Sequence, residues 1–154
     1  MLTYATPTNT VITLASLAHN AARESRVVDN NSTRYDDVQL SFWCQITGGV
    51  VKDAVYIYFY GANSANTFTT PATGTDAALT WIAGSTHALI GPGVLSIANT
   101  LTTMRTTIGS VGSFFGGNLP SQWGFVIYNF TTSAFTATEA NHGHAYTGLY
   151  YVGT

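Results

Sequence analysis

Charged side chains are scarce in this sequence. They make up 8% of the residues, against about 25% in an ordinary soluble domain. Hydrophobic residues reach 45%, which excludes an intrinsically disordered chain, because disordered chains combine low hydropathy with high charge. A surface with so few charges is poorly protected against association. We therefore expect much of this surface to be covered in the working state, by copies of the chain or by another protein.

Basic residues, cysteine and long apolar runs are also scarce. The chain carries five Lys and Arg residues and a net charge of −2, so we expect neither a phosphate-binding surface nor a nucleic-acid partner. Cys44 is the single cysteine and is expected to be a small buried side chain. No apolar run approaches about 18 residues, so we expect no membrane span. The first residues lack the basic region and apolar core of a signal peptide, and we expect synthesis in a cytoplasm without classical export.

The segment Asp53–Gly61 is predicted to be the central strand of a sheet. Its apolar residues alternate with three tyrosines, Tyr56, Tyr58 and Tyr60. This period of two predicts a strand with both faces covered, the tyrosine face by another sheet or by a partner chain. Val38–Ile46 alternates in the same way and predicts a half-buried strand, which we expect to pair with Asp53–Gly61 as its neighbour.

The whole chain favours an all-β fold. Roughly eight short strands, separated by turns rich in Gly, Asn, Pro and Thr, are typical of a two-sheet antiparallel β-sandwich, and a jelly roll fits best. Gly91-Pro92-Gly93 is interpreted as a turn between two of these strands. Residues 1–10 are predicted to form an N-terminal arm or a first edge strand. Residues 11–154 are predicted to form one β-sandwich domain.

Charge is concentrated between Arg23 and Asp37, which predicts either surface charges paired around a loop or a subunit contact. In a subunit contact, a few ion pairs would fix the register between otherwise apolar faces. Aromatic residues supply large contact area at interfaces, so the tyrosine face is also predicted to be part of a subunit contact. The other interpretation of the aromatic residues is a sugar-stacking platform. The candidate interface residues are Arg23, Arg26, Asp29, Arg34, Asp36, Asp37, Tyr56, Tyr58 and Tyr60.

Catalytic and metal-binding patterns are not evident. His142 and His144 occupy alternate positions and could share an ion on a strand, but no third ligand is visible, and a polar hairpin tip explains them equally well. Asp36 and Asp37 are adjacent and would face opposite sides of a strand, so they do not form an acid–base pair. We predict no catalytic residue, no metal site and no cofactor.

Two groups of short stretches carry a resemblance to a known class of proteins. The first contains Leu14–Ala18, Ser25–Asn30 and Tyr35-Asp36-Asp37; the second contains Leu119–Gly124, Val126–Asn129, Thr131–Phe135 and Tyr146-Thr147-Gly148. In order and spacing they resemble small β-sandwich structural proteins from the virions of tailed bacteriophages. The resemblance implies a non-enzymatic capsid decoration (cement) protein, often trimeric, that binds the major capsid protein and lies on the capsid surface.

Two other functions remain open from the sequence. A receptor- or glycan-binding module of a tail or head fibre would place exposed aromatic residues on the loops at 61–76 or 109–118. An enzyme such as a glycan hydrolase would need two carboxylates facing each other across a groove, and only folding could bring such a pair together.

Overall fold

The computed structural model describes residues 1–32, 34–48, 53–62, 68, 71–80, 90–96 and 102–152. Two antiparallel sheets pack against each other, and the described residues form no α-helix, only 3-10 helices at Gly112–Phe115 and Glu139–Asn141. The predicted all-β sandwich is therefore confirmed. In the same residues there is no helix with the length and hydropathy needed to span a bilayer.

The described residues form ten strands. They are β1 Leu2–Tyr4, β2 Ala22–Glu24, β3 Val28–Asp29, β4 Asp37–Cys44, β5 Ala54–Ala62, β6 Ala78–Leu79, β7 Ile90–Ser96, β8 Met104–Ile108, β9 Gln122–Asn129 and β10 Gly143–Tyr151. The smaller sheet has the order β1-β10-β4-β8. The larger sheet has the order β6-β2-β9-β5-β7, and β3 also pairs with β9.

The pairing of these strands is nested, as in a long hairpin rolled into a sandwich. The first strand pairs with the last, β2 with β9, β4 with β8, and β5 with β7. This nesting is the jelly-roll topology, in which eight strands form two facing sheets. The two-residue strands β3 and β6 are additions to the larger sheet.

The expected pairing of Val38–Ile46 with Asp53–Gly61 is wrong. β4 pairs with β10 and β8 in the smaller sheet, whereas β5 pairs with β9 and β7 in the larger sheet. Alternation shows which side of a strand is buried, but it carries no information about which strand lies beside it. Here the chain crosses from one sheet to the other between two consecutive strands.

The turn predicted at Gly91-Pro92-Gly93 is also wrong, because β7 runs through these residues. In the described part of the chain, β7 is the edge strand of its sheet. Proline has no N–H to donate, and an edge strand tolerates this because it pairs with a neighbour on one side only. The register against β5 shifts between Ile57 and Phe59, and Gly91 has a φ of 142°, which only glycine adopts readily. The Gly-Pro pair therefore forms a bulge in an edge strand.

The core lies between the two sheets. Burial alternates strictly along β4, so that every second side chain points inward, and the inward side chains of β5 and β9 face it. The large residues of this core include Leu40, Phe42, Ile57, Phe59, Trp123, Phe125, Ile127 and Phe135, all buried. Full burial of each such side chain stabilises the fold by about 1.5–3 kcal/mol.

The N-terminal residues belong to the smaller sheet. β1 forms its edge beside β10, and the Met1 amino group donates a hydrogen bond to Val152 O at 2.8 Å. Further along, Thr8 N–H donates to Tyr146 O at 2.8 Å. Of the two alternatives for residues 1–10, the structure therefore has the edge strand.

Candidate functional site

All seven carboxylates of the chain accept hydrogen bonds from backbone N–H groups. The pairs of acceptor and donor residue are Glu24–Thr73, Asp29–Asn31, Asp36–Tyr151, Asp37–Gly112, Asp53–Thr132, Asp76–Thr13 and Glu139–Leu14. Each of these bonds fixes a loop or a strand end, which accounts for the acidic residues structurally. No group of three or more His, Cys, Asp or Glu side chains in the described ranges could hold a metal ion.

The charges predicted between Arg23 and Asp37 separate into internal and exposed ones. Arg23 Nε donates to Asp76 Oδ1 at 2.7 Å, and this is the ion pair found in the described part of the chain. Burial raises the pKa of Asp76, but hydrogen bonds from Arg23 and Thr13 outweigh it, and the pKa lies below its ordinary value. Arg26 and Arg34 are exposed and take part in no ion pair among the described residues.

Asp29 and Asp37 also accept hydrogen bonds from within the chain. Asp29 Oδ1 accepts from both the backbone and the side chain of Asn31 at 2.9 and 2.8 Å. Asp37 Oδ1 accepts from Gly112 N–H at 2.6 Å, and this bond joins the start of β4 to the 3-10 helix that follows β8. Asp29 and Asp37 therefore lie at strand ends and bind backbone N–H groups of their own chain.

The two neighbouring histidines are both buried, with exposed fractions of 6% for His142 and 5% for His144. Nε2 of His142 lies 2.9 Å from Thr136 O, whereas Nε2 of His144 accepts the Thr10 N–H at 3.0 Å. Burial lowers the pKa of His144 to about 4. These imidazoles are committed to different backbone groups of the chain.

Four rings and one valine cluster on the outer face of the larger sheet, where Phe130 and Val94 are exposed, Tyr56 and Tyr58 are partly exposed and Tyr128 is buried. We call this cluster the aromatic patch and define it as Tyr56, Tyr58, Val94, Tyr128 and Phe130. The Tyr56 ring stacks on Tyr128, with centroids 6.4 Å apart and planes at 17°, and lies 5.6 Å from Phe130. Phe130 and Val94 are 51% and 44% exposed, and Val94 pairs directly with Tyr56 across the strands.

Tyr60 continues the alternation of β5 but lies outside the aromatic patch. Its side chain is fully buried, its hydroxyl donates to Ser25 O at 2.6 Å, and Phe68 packs edge-to-face on it at 5.2 Å. Burial raises its pKa. Because it has no exposed area, Tyr60 offers no surface to a partner.

A second apolar surface lies where β1 and β10 pair. Large hydrophobic residues exposed here, which we call the terminal patch, are Met1, Leu2, Tyr4, Tyr151 and Val152. Backbone bonds join Met1 to Val152 and Ala5 to Gly148, so the N–H and C=O groups of Leu2 and Tyr4 point away from β10. Among the described strands, the β1 edge of the smaller sheet therefore carries both backbone groups without a strand partner and apolar side chains.

A polar cavity of about 320 Å³ lies beyond the end of β3. It is lined by Asn30, Asn31, Arg34, Tyr35, Asp36, Asn118, Leu119 and Ser121. Ser121 directly precedes β9, whereas Tyr128 of the aromatic patch lies near the other end of that strand. At about 3.3 Å per residue, the cavity and the aromatic patch are separated by roughly 20 Å.

Comparison with protein-family models, with curated proteins and with solved structures finds no match to this chain. The candidate surfaces are therefore identified from the geometry of this chain alone. Sequence reasoning identified Tyr56, Tyr58, Arg34 and Asp36, but it missed Phe130, the terminal patch and the cavity. The exposure of Phe130 has no local signal, because the preceding residues of β9 are almost all buried.

Proposed function

We propose that the protein is a non-enzymatic structural component of a tailed-bacteriophage virion, a capsid decoration protein that binds and stabilises the major capsid shell. The observation that carries the proposal is the aromatic patch, in which Phe130 and Val94 are exposed and Tyr56 and Tyr58 are partly exposed on a chain with only 8% charged residues. The sequence resemblance to small virion β-sandwich proteins suggests the partner of this surface, which would be the shell of a phage particle.

The mechanism is burial of apolar area. Tyr and Phe are enriched at the cores of protein interfaces, where charged residues are depleted. Rings of the aromatic patch already contact one another, at 5.6 to 6.4 Å between centroids, so little side-chain freedom is lost on binding. A stable contact would bury about 1,600 Å² in total.

The terminal patch supports association between copies of the chain. The free backbone groups of β1 can extend a sheet, and Leu2 and Tyr4 would be covered by the added strand. If β1 of one copy pairs with a different edge of the next, the contact is heterologous and can close a ring. A trimer of this kind is the assembly that we propose on the capsid surface.

The test uses shells assembled from the major capsid protein without decoration protein. The wild-type chain should co-sediment with the shells at saturable stoichiometry, and a Tyr56→Ser/Phe130→Ser variant should not. Val11→Ser is the matched control, because Val11 is 46% exposed and lies outside both patches. Equal binding of the patch variant and the control would refute the proposal.

A receptor- or glycan-binding module of a phage fibre is the second candidate function. It is favoured by one observation, the polar cavity lined by Arg34 and Asp36. Electron cryomicroscopy of the particle discriminates between the two functions: density on the shell supports the decoration protein, and density at the tail tip supports the module.

A further inference from the structure

The two walls of the cavity beyond β3 are fixed by a buried amide. Asn30 is 6% exposed; its Oδ1 accepts the Tyr35 N–H at 2.8 Å and its Nδ2 donates to Tyr35 O at 3.1 Å. The Asn30 N–H donates to Ser121 O at 2.8 Å and joins the wall that contains Asn30 and Tyr35 to the wall that contains Ser121. The cavity is therefore formed before any ligand arrives, which lowers the entropic cost of binding.

Arg34 is presented to this cavity by an unusual backbone conformation. Its φ is 51°, in the left-handed region, which costs a residue with a Cβ atom about 1–2 kcal/mol. The Arg34 N–H donates to Asn30 O at 2.9 Å and holds the turn. Unlike Arg23, Arg34 has no carboxylate partner within the described residues, so its guanidinium donors can serve a ligand.

The described lining offers donors and acceptors with balanced charge. Asp36 keeps its carboxylate in place by accepting the Tyr151 N–H through Oδ2 at 3.1 Å. Arg34 and Asp36 are the one cation and the one anion among these lining residues, so an anionic or a cationic ligand would meet one attractive and one repulsive charge. A neutral group that both donates and accepts hydrogen bonds meets no such conflict.

Hydroxyl groups on neighbouring carbons have this property. The amide of Asn118 adds a further donor and acceptor, and Tyr35 and Leu119 supply apolar surface to the same cavity. A pyranose presents hydroxyl groups at its rim and C–H groups on its faces, which matches a lining of this composition. The volume of about 320 Å³ lies at the lower end of the range for small-molecule sites, about 300–1,000 Å³.

We infer that this cavity is a binding site for a neutral pyranose unit, with Arg34 donating to its hydroxyl oxygens and Asp36 accepting from its hydroxyl groups. The inference goes beyond the capsid decoration role, because the cavity lies far from the aromatic patch, and it names a ligand class for the cavity that favours the second candidate function. It concerns this one site and does not depend on which particle component the chain contacts.

The test is a titration of the ¹⁵N-labelled full chain with methyl glycosides, followed by heteronuclear NMR. The neutral probes are methyl α-glucoside, α-mannoside, β-galactoside and N-acetyl-β-glucosaminide, and methyl glucuronide is the anionic counterpart. We expect at least one neutral probe to give saturable shifts of amide signals from Asn30–Asp36 and Asn118–Ser121. Arg34→Ala should weaken that binding at least tenfold, and Arg26→Ala should leave it unchanged.

Several outcomes would overturn the inference. These are the absence of saturable shifts with all four neutral probes, tighter binding of the glucuronide than of the neutral glucoside, and equal binding by the Arg34→Ala and Arg26→Ala variants. If the amide spectrum shows that Arg34→Ala perturbs the fold, Asn118→Ala takes its place and should also weaken binding at least threefold. Shell co-sedimentation tests the aromatic patch separately, so the two proposals fail independently.

Discussion

Tyr60 and Gly124 face each other across the β5–β9 ladder, and the Tyr60 ring occupies the space in which a side chain at position 124 would lie. The same relationship holds between Trp43 and Gly143 on the smaller sheet. In both pairs the glycine is required by the neighbouring ring and not by its own backbone angles. The Tyr60 ring therefore fits on its side of β5 because the opposite residue of β9 is a glycine and has no side chain.

Gly124→Ala should destabilise the fold by about 1–3 kcal/mol, as overpacking of a filled site does. Tyr60 cannot move aside easily, because its hydroxyl donates to Ser25 O at 2.6 Å and its ring is buried. Urea unfolding measures the loss. Gly109→Ala is the matched control, since a Cβ there meets no atom within 4 Å; equal losses for both variants would contradict the steric explanation.

Asn129→Ala should be more damaging, by about 3 kcal/mol or more. The side chain is fully buried and its Nδ2 donates to Leu17 O at 2.9 Å, Ala18 O at 3.1 Å and Ser133 O at 2.9 Å. Alanine would remove these three bonds, although each carbonyl keeps another donor. It would also leave the buried Thr131 N–H without its acceptor, Asn129 Oδ1, and a buried unsatisfied group costs about 1–3 kcal/mol. Denaturant midpoints give the comparison with Asn141→Ala, which removes one bond of 3.2 Å and should cost under about 1 kcal/mol. Similar midpoints for the two variants would refute this explanation.

Stability should fall as the pH decreases from about 6.5 to 4. Because burial lowers the pKa of His144 to about 4, the unfolded chain takes up a proton in this window and the folded chain does not. The stabilisation is complete above the unfolded pKa, and up to about 3 kcal/mol is lost at the acid end. Unfolding free energies at several pH values would show the slope.

His144→Gln is the control for that slope. Gln keeps an acceptor that can reach the Thr10 N–H, which His144 Nε2 now accepts at 3.0 Å, but it does not titrate. The variant should lose most of the pH dependence between 6.5 and 4.5. An unchanged slope would assign the effect to other groups.

Asp76→Ala should destabilise the loop beside β2. Asp76 accepts from Thr13 N–H at 3.0 Å and from Arg23 at 2.7 Å, and has a φ of 60°. We expect a loss of about 1–3 kcal/mol. Asp76→Asn should lose less, because asparagine tolerates this backbone region and retains an acceptor oxygen. Thermal unfolding of both variants measures the difference, and a larger loss for Asn than for Ala would contradict the argument.

Cys44 should be inert in the folded protein. The side chain is fully buried, and burial raises the pKa of its thiol to about 12, so almost no thiolate is present at pH 8. Reaction with a thiol reagent such as DTNB should be undetectable in native conditions and should reach one equivalent in urea. Rapid labelling of the folded chain would disprove this.

The sequence predicted the burial of individual strands well and their neighbours badly. Alternation correctly placed Val55, Ile57 and Phe59 on one side of β5, in the core, and Tyr56 and Tyr58 on the opposite side. It could not show that β4 and β5 lie in different sheets, because strand pairing is a relationship between distant residues.

The candidate surfaces were less predictable for a related reason. Tyr56, Tyr58 and Tyr60 share one face of β5, yet Tyr60 alone is fully buried. Phe68 and Ala72 pack with Tyr60, so two residues from beyond the end of β5 cover one end of the tyrosine row, whereas Tyr56 and Tyr58 stay partly exposed. No local pattern predicts where such a covering segment will lie.

The nested order of the jelly roll constrains when the chain can fold. Among the strands that the structure describes, β1 has a single neighbour, β10, and Leu2 is paired with Tyr151. During synthesis on a ribosome, the first strand must therefore wait, unpaired, until almost all of these residues have been translated and released from the exit tunnel. Contacts so distant in sequence make folding slow, and the apolar side chains of β1 would be open to premature aggregation throughout that delay.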